Sequence, residues 1–218
     1  MGQEIELKLS IDSANVNEFI RHPFIARHIK GTVTKKHLVN SYYDTPDQVL
    51  RKHDMTVRVR WDGTGFVQTL KQKGESGKGL TVRGEWEWPL SGPDMDLSLV
   101  PLDLLPVSLR ARMEALRPVF RTDFERTLWL LCIPAGSLSS SHPPAKVELA
   151  LDQGEIIAGA GPRVLREEIL EIELELLEGI PDILFTISKK LGKEIRLKPF
   201  DVSKAERGYR LIEIRSHG

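Results

Sequence analysis

An α+β fold dominated by antiparallel strands is predicted by three features of this 218-residue sequence. Glu4-Ile5-Glu6-Leu7-Lys8-Leu9 alternates charged and apolar residues at period two, which gives a strand one charged face and one buried face. The arrangement returns far downstream as Glu171-Ile172-Glu173-Leu174-Glu175-Leu176. Between these acidic strands lie two that are wholly basic in their charged register, carrying Arg58 with Arg60 and Lys71 with Lys73.

The elements follow in chain order. Period-two runs predict strands over 3–11, 35–44, 55–61, 66–73, 80–89, 120–132, 146–151, 155–157 and 168–177. Asp62-Gly63-Thr64-Gly65 reads as one hairpin turn and Gln153-Gly154 as another, while the glycine-rich 74–79 reads as a longer, mobile connection. Asp12 or Ser13 can cap a helix running to Ile20. Residues 106–116 suit an amphipathic helix opened by Pro106, and 181–191 a second with Pro181 at its start and Gly192 past its end. A last helix is expected over 203–212, and the Pro/Ser-rich 134–144 as a surface loop. No internal repeat or compositional break marks a linker, so residues 1–218 are expected to form one domain.

Bulk properties narrow the function classes. Lys plus Arg equals Asp plus Glu at 31 each, so the molecule as a whole exerts no long-range pull on nucleic acid or an anionic membrane. Any electrostatic function must come from local segregation of charge. The one cysteine, Cys132 in an apolar run, excludes a disulfide framework and reads as a small buried hydrophobe. No signal-peptide core or apolar span of membrane length is present, and a cytoplasmic location is expected. His22, His28, His37, His53, His142 and His217 show no ligand spacing and read as solvent-facing or structural. Gly77-Lys78-Gly79 lacks the spacing and strand–loop–helix context of a phosphate loop.

Two architectures fit the charged registers. Arg58 and Arg60 oppose Val57 and Val59; Arg83, Glu85 and Glu87 oppose Val82, Trp86 and Trp88; Glu148 and Asp152 oppose Val147, Leu149 and Leu151. One architecture is a sheet with its charged face in water. The other is a closed barrel whose charged faces line a lumen, with apolar faces turned outward beneath helices. Segregation of sign distinguishes the second, because like charges facing one another across strands repel. Such strands would make a tunnel on the order of 25–30 Å long. Its acidic side, offering carboxylates without His or Cys, suits Mg²⁺ or Mn²⁺. Its basic side, where Arg58 and Arg60 present planar forks, suits a polyphosphate chain.

Glu4-x-Glu6-x-Lys8 is joined in order by Tyr42-Tyr43-Asp44-Thr45-Pro46, Val57-Arg58-Val59-Arg60 and Gln68-Thr69-Leu70-Lys71. Further blocks are the run from Val147 to Glu155, the acidic strand from Glu171 to Leu176, and Ser203-Lys204-Ala205-Glu206-Arg207-Gly208-Tyr209. Together these resemble the CYTH superfamily, the triphosphate tunnel metalloenzymes, most closely its bacterial inorganic triphosphatases. Many of those carry a second, histidine-rich helical domain, which residues 1–218 do not contain.

The resemblance implies an eight-stranded antiparallel β-barrel, a tunnel with a charged lumen and helices packed outside. It implies metal ligands at Glu4, Glu6, Glu171, Glu173 and Glu175, and catalytic roles for Glu4, Glu6, Lys8, Glu171 and Glu173. Phosphate would be bound by Lys8, Arg58, Arg60, Lys71, Lys73, Arg121, Arg126 and Lys204. Glu85, Glu87, Glu148 and Asp152 would bind metal or orient water, and Lys146 and Lys198 would be surface residues. The implied activity is Mg²⁺- or Mn²⁺-dependent hydrolysis of tripolyphosphate to pyrophosphate and phosphate, with a small polyanion as partner and an alkaline optimum. Thiamine, nucleoside or RNA triphosphatase, or adenylate cyclase of the same superfamily, is the alternative. A non-catalytic polyphosphate-binding module is a third reading.

Overall fold

The computed structural model describes residues 2–138 and 142–217, with the side chains of Lys73, Pro162, Ser216 and His217 outside that description. Among the described residues nine strands form one sheet: β1 (Gly2–Ile11), β2 (Thr34–Asp44), β3 (Met55–Trp61), β4 (Phe66–Gly77), β5 (Leu80–Leu90), β6 (Arg117–Ile133), β7 (Ala145–Ala158), β8 (Leu165–Glu178) and β9 (Leu197–Pro199). Their order is β5-β4-β3-β2-β6-β7-β8-β1-β9, and β1 also pairs with β5. That extra pairing closes eight antiparallel strands into a barrel and removes the edges that an open sheet would expose. The short β9 extends the sheet beyond the ring, taking Leu9 to Ile11 of β1.

Register shows which face points inward. Glu6 pairs with Glu175, Glu175 with Glu148, Asp152 with Arg126, Glu4 with Arg83, Glu85 with Lys71, and Tyr42 with Arg58. Directly opposed residues share a face, so the charged registers of the separate strands join into one inner surface. The alternate residues pack outside. Leu7, Leu9, Trp129, Leu131, Leu149, Ile172 and Leu174 form a core with Phe19, Ile25, Ile183, Leu184 and Ile187, from α1 (Val16–Ile20), α2 (Pro23–His28) and α5 (Asp182–Leu191). Val57, Val59 and Leu70 form a second core with Val100, Leu105 and Leu109, and Trp86 and Trp88 pack against it as outward residues.

One helix departs from the expected outer packing. α6 (Lys204–His217) lies on the inward faces of β6, β7 and β8. Its Tyr209 packs edge-on against Phe120, and its Lys204 and Arg207 reach the inward carboxylates of Asp152 and Glu171. The Tyr209 hydroxyl donates to Asp44 at 2.7 Å, and Asp44 also accepts the Leu50 and Arg51 N–H groups that open α3 (Val49–Lys52). A Cβ at Gly208 would stand 2.2 Å from the Phe120 ring, which is held between Tyr42 and Tyr209. Gly208→Ala therefore lowers stability by about 1–3 kcal/mol, measured as a lower urea midpoint.

Three expectations about elements are corrected. Gln153-Gly154 is not a turn: β7 runs unbroken through it, and a Cβ at Gly154 would lie 2.2 Å from the Asp123 carbonyl oxygen. The glycine serves a close approach of strands. Residues 74–79 are not a loose connection, since β4 extends to Gly77 and a two-residue turn, Lys78 and Gly79 at φ 55° and 84°, leads into β5. The helix expected over 106–116 shrinks to one turn, α4 (Val107–Arg110), followed by a 3₁₀ turn at Met113–Ala115. Its leucines enter the second core as separate anchors, so no continuous helical stripe is needed. Within 134–144, residues 139–141 lie outside the described residues.

Candidate active site

A cavity of about 610 Å³ occupies the barrel interior. Period two on each strand delivers its walls: Glu4, Glu6 and Lys8 from β1, Arg58 and Arg60 from β3, Lys71 from β4, Arg83, Glu85 and Glu87 from β5, Arg126 from β6, Glu148 from β7, and Glu173 and Glu175 from β8. Lys204 of α6 also lines it, as do Tyr42, Phe124 and Tyr209.

Charges in the cavity form two linked networks. Lys71 Nζ lies 3.0 Å from both Glu4 Oε1 and Glu85 Oε1. Arg83 donates through Nε to Glu4, and its Nη2 is 3.5 Å from Glu6. On the other side Arg126 grips Asp152 with two 2.7 Å bonds and also donates to Glu173. Lys8 stands between the networks, 3.6 Å from Glu6 and 3.7 Å from Glu171 and Glu173.

Protonation follows from this placement. Burial alone would raise Glu4, but Lys71 and Arg83 hold its carboxyl well below the usual range. Glu173 is likewise held far down against burial by Lys204, Arg126 and Lys8. Glu6 moves the other way, because burial and the neighbouring Glu173 outweigh Lys8 and Arg83. Burial, Glu4 and Glu148 push Glu175 up to about 7. Glu175 and Glu148 form no ion pair with a described side chain.

On the basic wall Arg60 is short of counter-charge. Burial and the like charges of Arg58 and Arg126 push Arg60 down to about 10; its Nε bonds Asn40 Oδ1 at 2.8 Å, and it has no carboxylate partner among the described residues. Against burial, Tyr42, Glu85 and Glu4 hold Arg58 above its ordinary value; Glu85 lies 3.7 Å away, and the buried Arg58 Nε has no hydrogen-bond partner among the described residues. Burial, Arg83 and Arg58 lower Lys71 despite Glu4 and Glu85. The acidic group at Glu175 and Glu148 fits a hard cation, and the arginine pair fits an anion rich in oxygen.

Not every residue expected in the site lines the cavity. Glu171 and Asp152 share the inward register but do not line the cavity; both are fully buried beneath α6. Lys204 and Arg207 occupy Glu171, while Arg126 and Lys204 occupy Asp152. Arg121 is exposed on the outer register, five residues from the inward Arg126, an odd spacing that turns it to the opposite face. The side chain of Lys73 lies outside the described residues. Lys146 and Lys198 are on the surface, Lys146 paired with Glu178.

Among the histidines, His22 caps α2 through Nδ1, whereas His142 is buried with neither ring nitrogen bonded to a described group. Cys132 is half-buried. Unforeseen members of the charge network are Arg83, in the same register as Glu85 and Glu87, and Arg207, one helical turn beyond Lys204. Both signals were present in the spacing.

A curated inorganic triphosphatase of Haemophilus influenzae is 35% identical over 219 residues, covering 97% of this chain and 55% of that protein. The chain thus spans about half the length of this relative. Among solved structures, a candidate adenylyl cyclase from Hippeastrum with a dominant triphosphatase activity superimposes with TM-score 0.60 at 18% identity, over 95% of each chain. A Pyrococcus horikoshii protein gives TM-score 0.54 at 19% identity over 98% of this chain and 99% of its own. These two share the barrel fold. Residues 2–209 match the CYTH domain, and with the closed barrel and its charged interior in place, the chain belongs to the CYTH domain family.

Proposed function

We propose that this chain hydrolyses inorganic tripolyphosphate to pyrophosphate and phosphate in the barrel cavity, with Mg²⁺ or Mn²⁺. The observation that carries this reading is the paired deficit of counter-charge in one enclosed space. Glu148 and Glu175 have no ion-pair partner among the described residues, while Arg60 has no carboxylate partner among them and Arg58 only Glu85, at 3.7 Å. A cation and a polyanion together satisfy both.

Glu4, Glu6, Glu173 and Glu175 would hold the divalent ion, which when bound draws charge from phosphoryl oxygens. Arg58, Arg60, Lys71 and Arg126 bind the chain and fix its direction, and Lys8 stands between Glu6 and Glu173. Glu148, on the cavity wall, would accept a proton from the attacking water. The arrangement needs no covalent nucleophile.

Among the described residues the cavity wall offers no stacking face for a base, which favours an inorganic substrate over a nucleotide. Tyr42, Phe124 and Tyr209 are the aromatic residues on the cavity wall, each at most 3% exposed, so none offers a free face to stack a base. A cytoplasmic setting fits the free Cys132.

Phosphate release from tripolyphosphate, thiamine triphosphate and ATP, assayed side by side with each metal, tests the reading. Tripolyphosphate is expected to be cleaved fastest, and excess chelator to stop the reaction. Cyclic AMP formed from ATP, or full activity in chelator, would overturn it.

A pH dependence follows from Glu175. Its folded value of about 7 lies above the ordinary 4.5, so its share of stability is complete below 4.5 and lost as pH rises through about 7. A divalent ion restores what ionisation costs. The rise in Tm on adding Mg²⁺ is therefore larger at about pH 8 than at about pH 5.5. The same ionisation favours an alkaline optimum.

A further inference from the structure

Lys204 opens α6 with its ammonium almost wholly buried. Nζ lies 2.6 Å from Asp152 Oδ2 and 2.8 Å from Glu173 Oε1, and also bonds Glu171 Oε1. Asp152, Glu171 and Glu173 offer ligand oxygens within 4.8 Å of one another, a geometry that could hold a metal ion. A cation tethered to the chain already sits among them.

Glu173 faces two ways. It lines the cavity with Glu4, Glu6 and Glu175, yet carries Lys204 on Oε1 and Arg126 on Oε2. A dication and an ammonium on one buried carboxylate repel strongly, since the surroundings screen them poorly. Arg126 has its bidentate hold on Asp152 to fall back on. Lys204 has a flexible stem and borders the cavity beside Arg126 and Tyr42, so a second position is open to it.

We propose that Lys204 is an internal counter-cation displaced by the divalent ion: metal loading at Glu173 frees its ammonium from the carboxylates and turns it toward the phosphate space. Metal then binds before substrate, and loading completes the phosphate site. The inference rests on the metal-dependent reading above.

Calorimetric titration of the substrate-free chain with Mn²⁺ alone tests it, comparing wild type with Lys204→Met. The variant is expected to bind Mn²⁺ about tenfold more tightly or better. Equal or weaker binding by a folded variant overturns the displacement while leaving the metal reading intact. No Mn²⁺ bound by either protein overturns both. A measurement on the wild type alone is independent of how the variant folds: acetylation of Lys204 followed by mass spectrometry. Mn²⁺ should speed this labelling several-fold; an unchanged or slower rate overturns the displacement.

Discussion

Glu6→Ala is expected to abolish the proposed tripolyphosphate cleavage while leaving the barrel folded. Glu6 lies directly opposite Glu175, and its carboxyl is held up by burial and by Glu173. It makes only long contacts with cations, 3.5 Å to Arg83 and 3.6 Å to Lys8. Removing it relieves carboxylate repulsion and leaves Arg83 paired with Glu4. Stability therefore changes little, but a ligand of the proposed metal is lost. The expected fall in kcat is on the order of 10³-fold or more, about 4 kcal/mol of transition-state stabilisation. Single-turnover phosphate release, alongside circular dichroism, measures both parts. A variant that simply unfolds would make Glu6 a structural residue.

Glu171→Leu is expected to do the reverse. Although two positions from Glu173 on the same strand face, Glu171 is fully buried, does not line the cavity and serves Lys204, Arg207 and Lys8 at once. Truncating it strands buried cations. The cost is roughly 3–5 kcal/mol, read as a lower urea midpoint. Any loss of activity should then track the unfolded fraction. A stable but inactive variant would restore Glu171 to the metal site.

The contrast between these two glutamates shows what the sequence can convey. Alternation assigned Glu4, Glu6, Glu171, Glu173 and Glu175 to charged registers, and all face inward. Period two does not reveal depth along the lumen. That α6 enters the barrel and covers Glu171 is a long-range fact, carried by contacts such as Tyr209 on Phe120.

Closure was legible only from the strands as a set, because any one strand fits a wet sheet as well as a tunnel; β1 pairing with both β5 and β8 bears it out. Gly154 misled for a related reason. Gln-Gly is turn-like locally, but the glycine answers to Phe124 on the next strand. Arg121 could have been set aside from spacing alone, since five residues from an inward Arg126 is an outward position.

The joining of β1 to β5 and β8 also bears on how the molecule comes into being. Glu6 meets Glu175 across roughly 170 residues of chain, a contact whose loop-closure entropy makes it late and slow to form. During synthesis the first strand emerges early but lacks one neighbour until β8 has followed. The hairpin of β4 and β5 can hold it meanwhile, through the Gly2–Leu7 ladder and the bond from Lys8 N–H to the Gly79 carbonyl. Glu4 and Glu6 thus wait beside Arg83 and Lys71 until Glu173 and Glu175 arrive. A nascent chain shorter than β8 cannot assemble the proposed metal site, so competence to load a cation arises only as the ring closes.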